Sequence, residues 1–161
     1  VTGVDPFEIN LREEMKKSPA ERNLPAFESR KGDSIFIVIP VYGKGLWGPI
    51  WGYVSFLRED SVAGGLPHFN NIYGVMFDHK GETPGLGAEI NQPFFMIPFR
   101  GKKVFDDQGA FVSVEVVKGG ADKSSSHQVD AISGGTITSK GLEAMLDSCL
   151  VSYQAYFKLN N

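Results

Sequence analysis

The chain is poor in the side chains from which fixed chemical sites are most often built. Among 161 residues there is one cysteine, and there are three histidines. Cys149 alone cannot close an intrachain disulfide, and on an apolar helical stripe it reads as a small buried hydrophobe. There is no H-E-x-x-H, no paired cysteines and no calcium-loop pattern, so no metal site is expected. His79 lacks a Cys, His or carboxylate partner at ligand spacing and reads as a surface-loop residue; His68 and His127 have still less around them. No apolar run approaches the roughly 18 residues of a membrane span. Lys+Arg total 16 against Asp+Glu 19, a net charge of −3 with no basic cluster, so nucleic acid is not an expected partner. The first residue is not Met and no signal peptide is visible, which predicts a fragment excised from a longer chain.

What is present suffices for one domain over residues 1–161, since 42% of the chain is hydrophobic. Asp5-Pro6-Phe7-Glu8 has the form of a helix start, with Asp as N-cap, Pro at the first helical position and Glu completing a capping box. A helix is expected to about Lys17, ending before Pro19. Residues 21–31, broken by Pro25, are expected to be irregular. The β-branched run Ile35–Ile39 predicts a buried strand, and Trp51–Leu57 a second. Further strands are expected over Tyr73–Asp78, Phe94–Phe99 and Phe111–Val117, the last from its alternation. Lys118–His127 is a Gly/Ser-rich surface loop. Leu142, Met145, Leu146, Cys149, Leu150, Tyr153, Tyr156 and Phe157 recur at three- and four-residue steps, the stripe of an amphipathic closing helix. Strands in the middle with helices at both ends predict an α+β fold with a largely antiparallel sheet.

Three glycine-containing stretches stand out. Tyr42-Gly43-Lys44-Gly45-Leu46-Trp47-Gly48-Pro49 formally matches G-x-G-x-x-G. A dinucleotide fingerprint needs a helix after it, whereas Pro49 and a strand follow. A kinase glycine loop sits between strands, but H-R-D and D-F-G are missing. A tight hairpin turn is what remains. His79-Lys80-Gly81-Glu82-Thr83-Pro84-Gly85-Leu86-Gly87 is a polar loop closed by a Pro-Gly turn. Third, Asp130-Ala131-Ile132-Ser133-Gly134-Gly135-Thr136-Ile137-Thr138-Ser139 runs directly into the closing helix. Its hydroxyls suit ordinary N-capping. They also bring Thr138 and Ser139 to a helix N-terminus, where free N–H groups and the dipole suit a phosphate.

The order Asp-x-x-Ser-Gly-x-Thr-x-Thr resembles the flavinylation motif of FMN-binding domains of the NqrC and RnfG type, found in the sodium-translocating NADH:quinone reductase and the related Rnf complex. The Gly-Lys-Gly-Leu-Trp-Gly and Glu-Thr-Pro-Gly-Leu-Gly strings are similar to two further segments of that family. Gly135 departs from the pattern, standing where the family usually has Ala. The resemblance implies FMN bound covalently through a phosphoester to Thr138. It implies that Ser133, Gly134, Gly135, Thr136 and Ile137 help to bind it, together with Glu82, Thr83, Leu86 and Gly87 against the ring and Gly45, Leu46 and Trp47 in the pocket. Trp47 and Trp51 can equally be core anchors. Asp130 would belong to the sequence recognised by a flavin transferase.

On this resemblance the chain is expected to be an electron carrier with no catalytic residue of its own. Its partners would be the other subunits of a membrane redox complex, with NADH oxidation, quinone reduction and sodium transport lying in those subunits. An N-terminal membrane anchor, missing from the sequence, would hold the domain on the periplasmic side of the inner membrane. Two other readings stand beside this one: an RnfG-type electron carrier of the Rnf complex, and a non-catalytic secreted binding module whose Ser/Thr loop only caps a helix.

Overall fold

The computed structural model describes residues 3–59 and 67–159. Four strands form one antiparallel meander in chain order: β1 (Phe27–Lys31), β2 (Ser34–Lys44), β3 (Pro49–Leu57) and β4 (Ile72–His79). In β2 and β3 every second residue faces inward, so Ile37, Ile39 and Val41 meet Ile50, Val54 and Phe56 in the core. A short parallel pair, β5 (Glu115–Val117) with β6 (Gln128–Asp130), lies apart from the meander. Helix α3 (Thr136–Leu150) continues through a 3₁₀ turn at Val151–Tyr153 into α4 (Gln154–Leu159). The expected α+β class and antiparallel sheet are therefore present.

The apolar stripe of the closing helix is buried as its spacing predicts. Leu142, Met145, Leu146, Cys149, Leu150, Tyr153 and Phe157 enter the core, with Tyr156 packed at its edge. Two contacts bring α3 closer to β2 than side chains normally allow. A Cβ at Gly141 would overlap the carbonyl oxygen of Lys44, and one at Gly43 would lie 2.6 Å from the Cβ of Met145. The start of α3 is thereby held against the β2–β3 turn.

Four expectations are corrected. The N-terminal helix is not continuous: a 3₁₀ turn at Pro6–Glu8 and one turn of α1 (Leu11–Glu14) are separated by extended backbone at Ile9 and Asn10. Asp5 does cap the first piece, accepting from Phe7 N–H at 2.9 Å. Phe7 is 84% exposed and packs on Phe27 alone among the aromatic rings, so little buried surface supports a longer helix. Second, residues 27–31 are a strand, not irregular chain. The Gly32-Asp33 turn joins β1 to β2 in register Lys31↔Ser34, and the charges of β1 guard an exposed sheet edge. Third, Phe94–Phe99 is helical: α2 (Pro93–Met96) followed by a 3₁₀ turn at Ile97–Phe99. Pro93 starts the helix, Pro98 has no ladder N–H, and Phe95 and Phe99 pack one turn apart on Phe77. Fourth, the strand expected over Phe111–Val117 keeps only its last three residues. Ser113 has φ 59°, which breaks the alternation, and the amides of Val112 and Ser113 both donate to the carbonyl of Val104.

Two ionisable groups sit in this core in neutral form. Burial pushes the Cys149 thiol up from its ordinary range, and it pushes the Tyr153 phenol up further; the phenol donates to the carbonyl of Pro25 at 2.7 Å. Both folded values lie above the unfolded ones, so the stability they contribute is complete at neutral pH and is lost as pH rises. The loss begins above about pH 8.5, where the unfolded thiol ionises, and reaches about 1.4 kcal/mol per pH unit for each group that titrates. Urea midpoints measured from pH 7 to 10.5 should therefore fall on the alkaline side, and less steeply in Tyr153→Phe. A flat profile would contradict this account of the core.

Candidate functional site

Three loops meet where α3 begins. The first is the turn joining β2 to β3, closed by Gly45 N–H donating to the carbonyl of Gly48 at 2.8 Å. The second follows β4: the amides of Leu86 and Ala88 both donate to the Thr83 carbonyl at 3.1 Å, giving the tight turn around Pro84-Gly85. The third is the glycine stretch that ends in the first turn of α3. A cleft of about 410 Å³ opens between them, within the roughly 300–1,000 Å³ usual for small-molecule sites. Its walls include Leu46 and Trp47 from the first loop, Glu82, Thr83, Leu86 and Gly87 from the second, and Gly134, Gly135, Thr136, Ile137 and Thr138 from the third.

Most of the residues singled out in the sequence thus come together from three distant stretches. Gly45 stands behind the wall, where a Cβ would lie 2.6 Å from Glu82 Oε1. Ser133 is exposed and does not line the cleft. Asp130 does not line it either; it accepts from Lys123 Nζ at 2.7 Å and from Ala121 N–H at 2.6 Å. The Lys123 bond, ahead of the backbone one, holds its carboxyl below the usual carboxylate range. Of the two tryptophans, Trp47 lines the cleft and is 69% exposed, whereas Trp51 lies on the outer face of the sheet opposite Tyr42 and Asp78. Neither is a core anchor.

The capping reading of the third loop does not hold. The N-cap of α3 is Gly135, which has no side chain to offer. Ser139 Oγ instead accepts from Ile132 N–H at 3.1 Å, and Thr138 Oγ1 donates to Glu82 Oε2 at 2.5 Å. Among the described residues no side-chain oxygen accepts from the amides of Thr136, Ile137 or Thr138. The N-terminus of α3 thus presents uncapped donors at the cleft wall.

Glu82 joins the three loops. It is only 4% exposed; one carboxylate oxygen accepts from Thr138 and the other from Trp47 N–H at 2.8 Å. Its own N–H donates to His79 Nδ1 at 3.2 Å, which gives His79 a positioning part that no spacing rule in the sequence signalled. Thr138 is 1% exposed and lines the cleft, with its hydroxyl committed to Glu82. Room for this pair is made at Gly87, where a Cβ would lie 2.5 Å from Glu82 Oε2 and overlap Thr138 Oγ1. A larger cavity of about 620 Å³ lies by α1, lined in part by Arg12, Arg22 and Lys44. It shares no residue with the walls of the cleft, although Tyr42, Gly43, Lys44, Gly48 and Pro49 of the hairpin stretch line it.

Residues 45–151 match the family model described as the FMN-binding domain. The chain is 41% identical to the C subunit of the Na(+)-translocating NADH-quinone reductase from Parabacteroides distasonis, whose crystal structure it matches with a TM-score of 0.78 over 96% of this chain and 70% of that one. The chain belongs to the FMN-binding domain family. Shewanella oneidensis NqrC is 33% identical, with a TM-score of 0.69 over 89% of this chain and 67% of that one. Among curated relatives, the same subunit from Neisseria meningitidis serogroup A is 43% identical over 108 residues, covering 66% of this chain and 37% of the relative. The Vibrio anguillarum protein is 38% identical over 119 residues, 73% of this chain and 43% of the relative. The match thus spans less than half the length of those curated relatives. The matched family region begins at the β2–β3 turn and ends with α3, so it contains all three loops of the cleft.

The donor set fits a flavin nucleotide. Leu46, Trp47, Leu86 and Ile137 offer apolar surface for a planar ring, and the uncapped amides of α3 offer donors for a phosphate. Gly87→Ala should disturb the site from within. Overpacking against Thr138 and Glu82 should cost about 1–3 kcal/mol of unfolding free energy. Gly81→Ala, whose added Cβ meets nothing within 4 Å, should stay within about 0.5 kcal/mol of the parent. Equal denaturation midpoints for the two variants would show that the close approach at Gly87 is unimportant.

Proposed function

We propose that this chain is the NqrC-type flavodomain of a sodium-translocating NADH:quinone reductase and carries FMN covalently, as a phosphoester on Thr138. The observation that most supports the reading is the position of the Thr138 hydroxyl, at the uncapped start of α3 and beside a cleft walled by both other glycine loops. When bound, the isoalloxazine supplies the electron-transfer chemistry, and the protein holds, orients and tunes it. Leu46, Trp47 and Leu86 would hold the ring by apolar contact, while Thr83 and the backbone of the Gly87 turn would face its polar edge. A threonine–FMN phosphodiester carries about one negative charge, since esterification removes an ionisable oxygen. The α3 N-terminus stabilises such a charge by about 0.3–1 kcal/mol, enough to orient a phosphate and too little to retain a cofactor. Covalent attachment does the retaining.

In this reading electrons arrive from one neighbouring subunit and leave to another, while NADH, quinone and sodium are handled elsewhere in the complex. No helix among the described residues is long and apolar enough to cross a membrane. The domain would sit on the periplasmic side of the inner membrane, held by an N-terminal membrane anchor. A flavin transferase would attach the cofactor and read the segment that starts at Asp130. The names of the relatives favour the NqrC reading over the RnfG one.

Co-expression with a flavin transferase should yield a yellow protein whose intact mass exceeds the sequence mass by one FMN less one water, with the colour surviving denaturation. Thr138→Ala should abolish both. Colour that is lost on unfolding would point to reversible binding, and absence of flavin to a non-redox binding module.

A further inference from the structure

A threonine hydroxyl is a weak nucleophile at neutral pH and needs an adjacent base before it can attack phosphorus. Such a base must be within hydrogen-bond reach of the proton it takes. Around Thr138 Oγ1 the described residues provide one such group. Glu82 Oε2 accepts the hydroxyl proton at 2.5 Å, in a setting almost closed to solvent. The nearby ionisable groups are engaged elsewhere. His79 Nδ1 accepts from the Glu82 amide, and Lys140 pairs with Glu143 at 2.8 Å. The Glu82 carboxylate is also aimed: Trp47 N–H holds Oε1 at 2.8 Å, and added Cβ atoms at Gly45 and Gly87 would collide with it.

Resting on the reading of Thr138 as the attachment point, we propose that Glu82 is the catalytic base of this domain's own flavinylation. In the step, Thr138 Oγ1 forms a bond to the flavin-bearing phosphorus of a flavin dinucleotide. The pyrophosphate P–O bond to the nucleoside monophosphate breaks, and that group leaves with the electron pair. The hydroxyl proton passes to Glu82 Oε2, and nothing is oxidised or reduced. The same transfer resolves a second problem. Once the ester forms, Glu82 loses the donor on Oε2 and acquires a phosphodiester negative charge beside it, a pairing of like charges that is unfavourable in a buried site. A proton kept on Glu82 removes that repulsion and supplies a donor toward the new ester. The transferase would thus deliver and activate the dinucleotide, while the acceptor domain activates its own nucleophile.

The test uses the purified chain, a flavin transferase and flavin adenine dinucleotide, with the initial rate of FMN adduct formation read by intact mass. General-base contributions of about 10²–10⁴-fold set the scale. Glu82→Gln, which keeps the size and the amide-accepting oxygen, should slow the adduct by at least about 10²-fold. Glu82→Asp, which keeps the carboxylate at slightly longer reach, should recover part of the loss. Circular dichroism and thermal melting establish whether each variant is folded; should Glu82→Gln not fold, the comparison rests on Glu82→Asp and on formate rescue of Glu82→Ala. A folded Glu82→Gln chain that is flavinylated at the parental rate overturns the inference and leaves the assignment of Thr138 standing. So does a folded Glu82→Ala chain whose slowed rate formate does not raise. A parent chain that gains no adduct at Thr138 overturns that assignment and this inference together.

Discussion

A carboxylate withdrawn from water must find donors, because its desolvation is repaid only by hydrogen bonds or an opposite charge. Glu82 finds two, and they come from different parts of the chain: the Trp47 amide in the β2–β3 turn and the Thr138 hydroxyl at the head of α3. With its own amide on His79, one side chain ties the end of β4, the hairpin turn and the helix start into a single unit. The cleft exists because those three pieces are held at that separation. Losing either donor, Trp47 N–H or the Thr138 hydroxyl, would leave a buried charge short of a partner, so the three loops are coupled in energy as well as in space.

The sheet and the helix make that bridge possible. Inward alternation along β2 and β3 provides a flat apolar face, and the stripe of α3 lies on it. Side chains between them would ordinarily hold the backbones apart. Gly43 and Gly141 remove that spacing at the end of β2 nearest the turn, so the first residues of α3 arrive beside Gly45 and Trp47. Buried Asn70 does similar work on the other side of the core. Its amide accepts from Val104 and Phe105 and donates to the Phe105 carbonyl, fixing the chain that leads toward β5.

Sequence and fold agree where a periodic pattern is matched by burial. The α3 stripe and the β2 and β3 runs are of this kind, since one face of each is buried and the other is not. They part where a short apolar run has no period of its own. Phe94–Phe99 has the composition of a strand, but Pro93 just before it, Pro98 within it and the one-turn spacing of Phe95 and Phe99 favour a helix. β1 differs from its expected irregular chain for the opposite reason: it is an edge strand whose exposed charges carry no hydrophobic alternation, and the Gly32-Asp33 turn is the signal the sequence holds. Ser113 could not have been foreseen, because a left-handed serine is imposed by the loop it closes.

The three glycine-rich stretches, the closing helix and the antiparallel class were all determined by the sequence alone, since residue type and spacing act locally. That Thr138 has a hydroxyl near a helix start was likewise determined by order along the chain. Only the tertiary structure decided that this hydroxyl is buried, that no side chain caps the helix beneath it, and that it faces a carboxylate 56 positions away. Such a contact depends on how the backbones of β2, β4 and α3 close on one another. No local pattern encodes that distance.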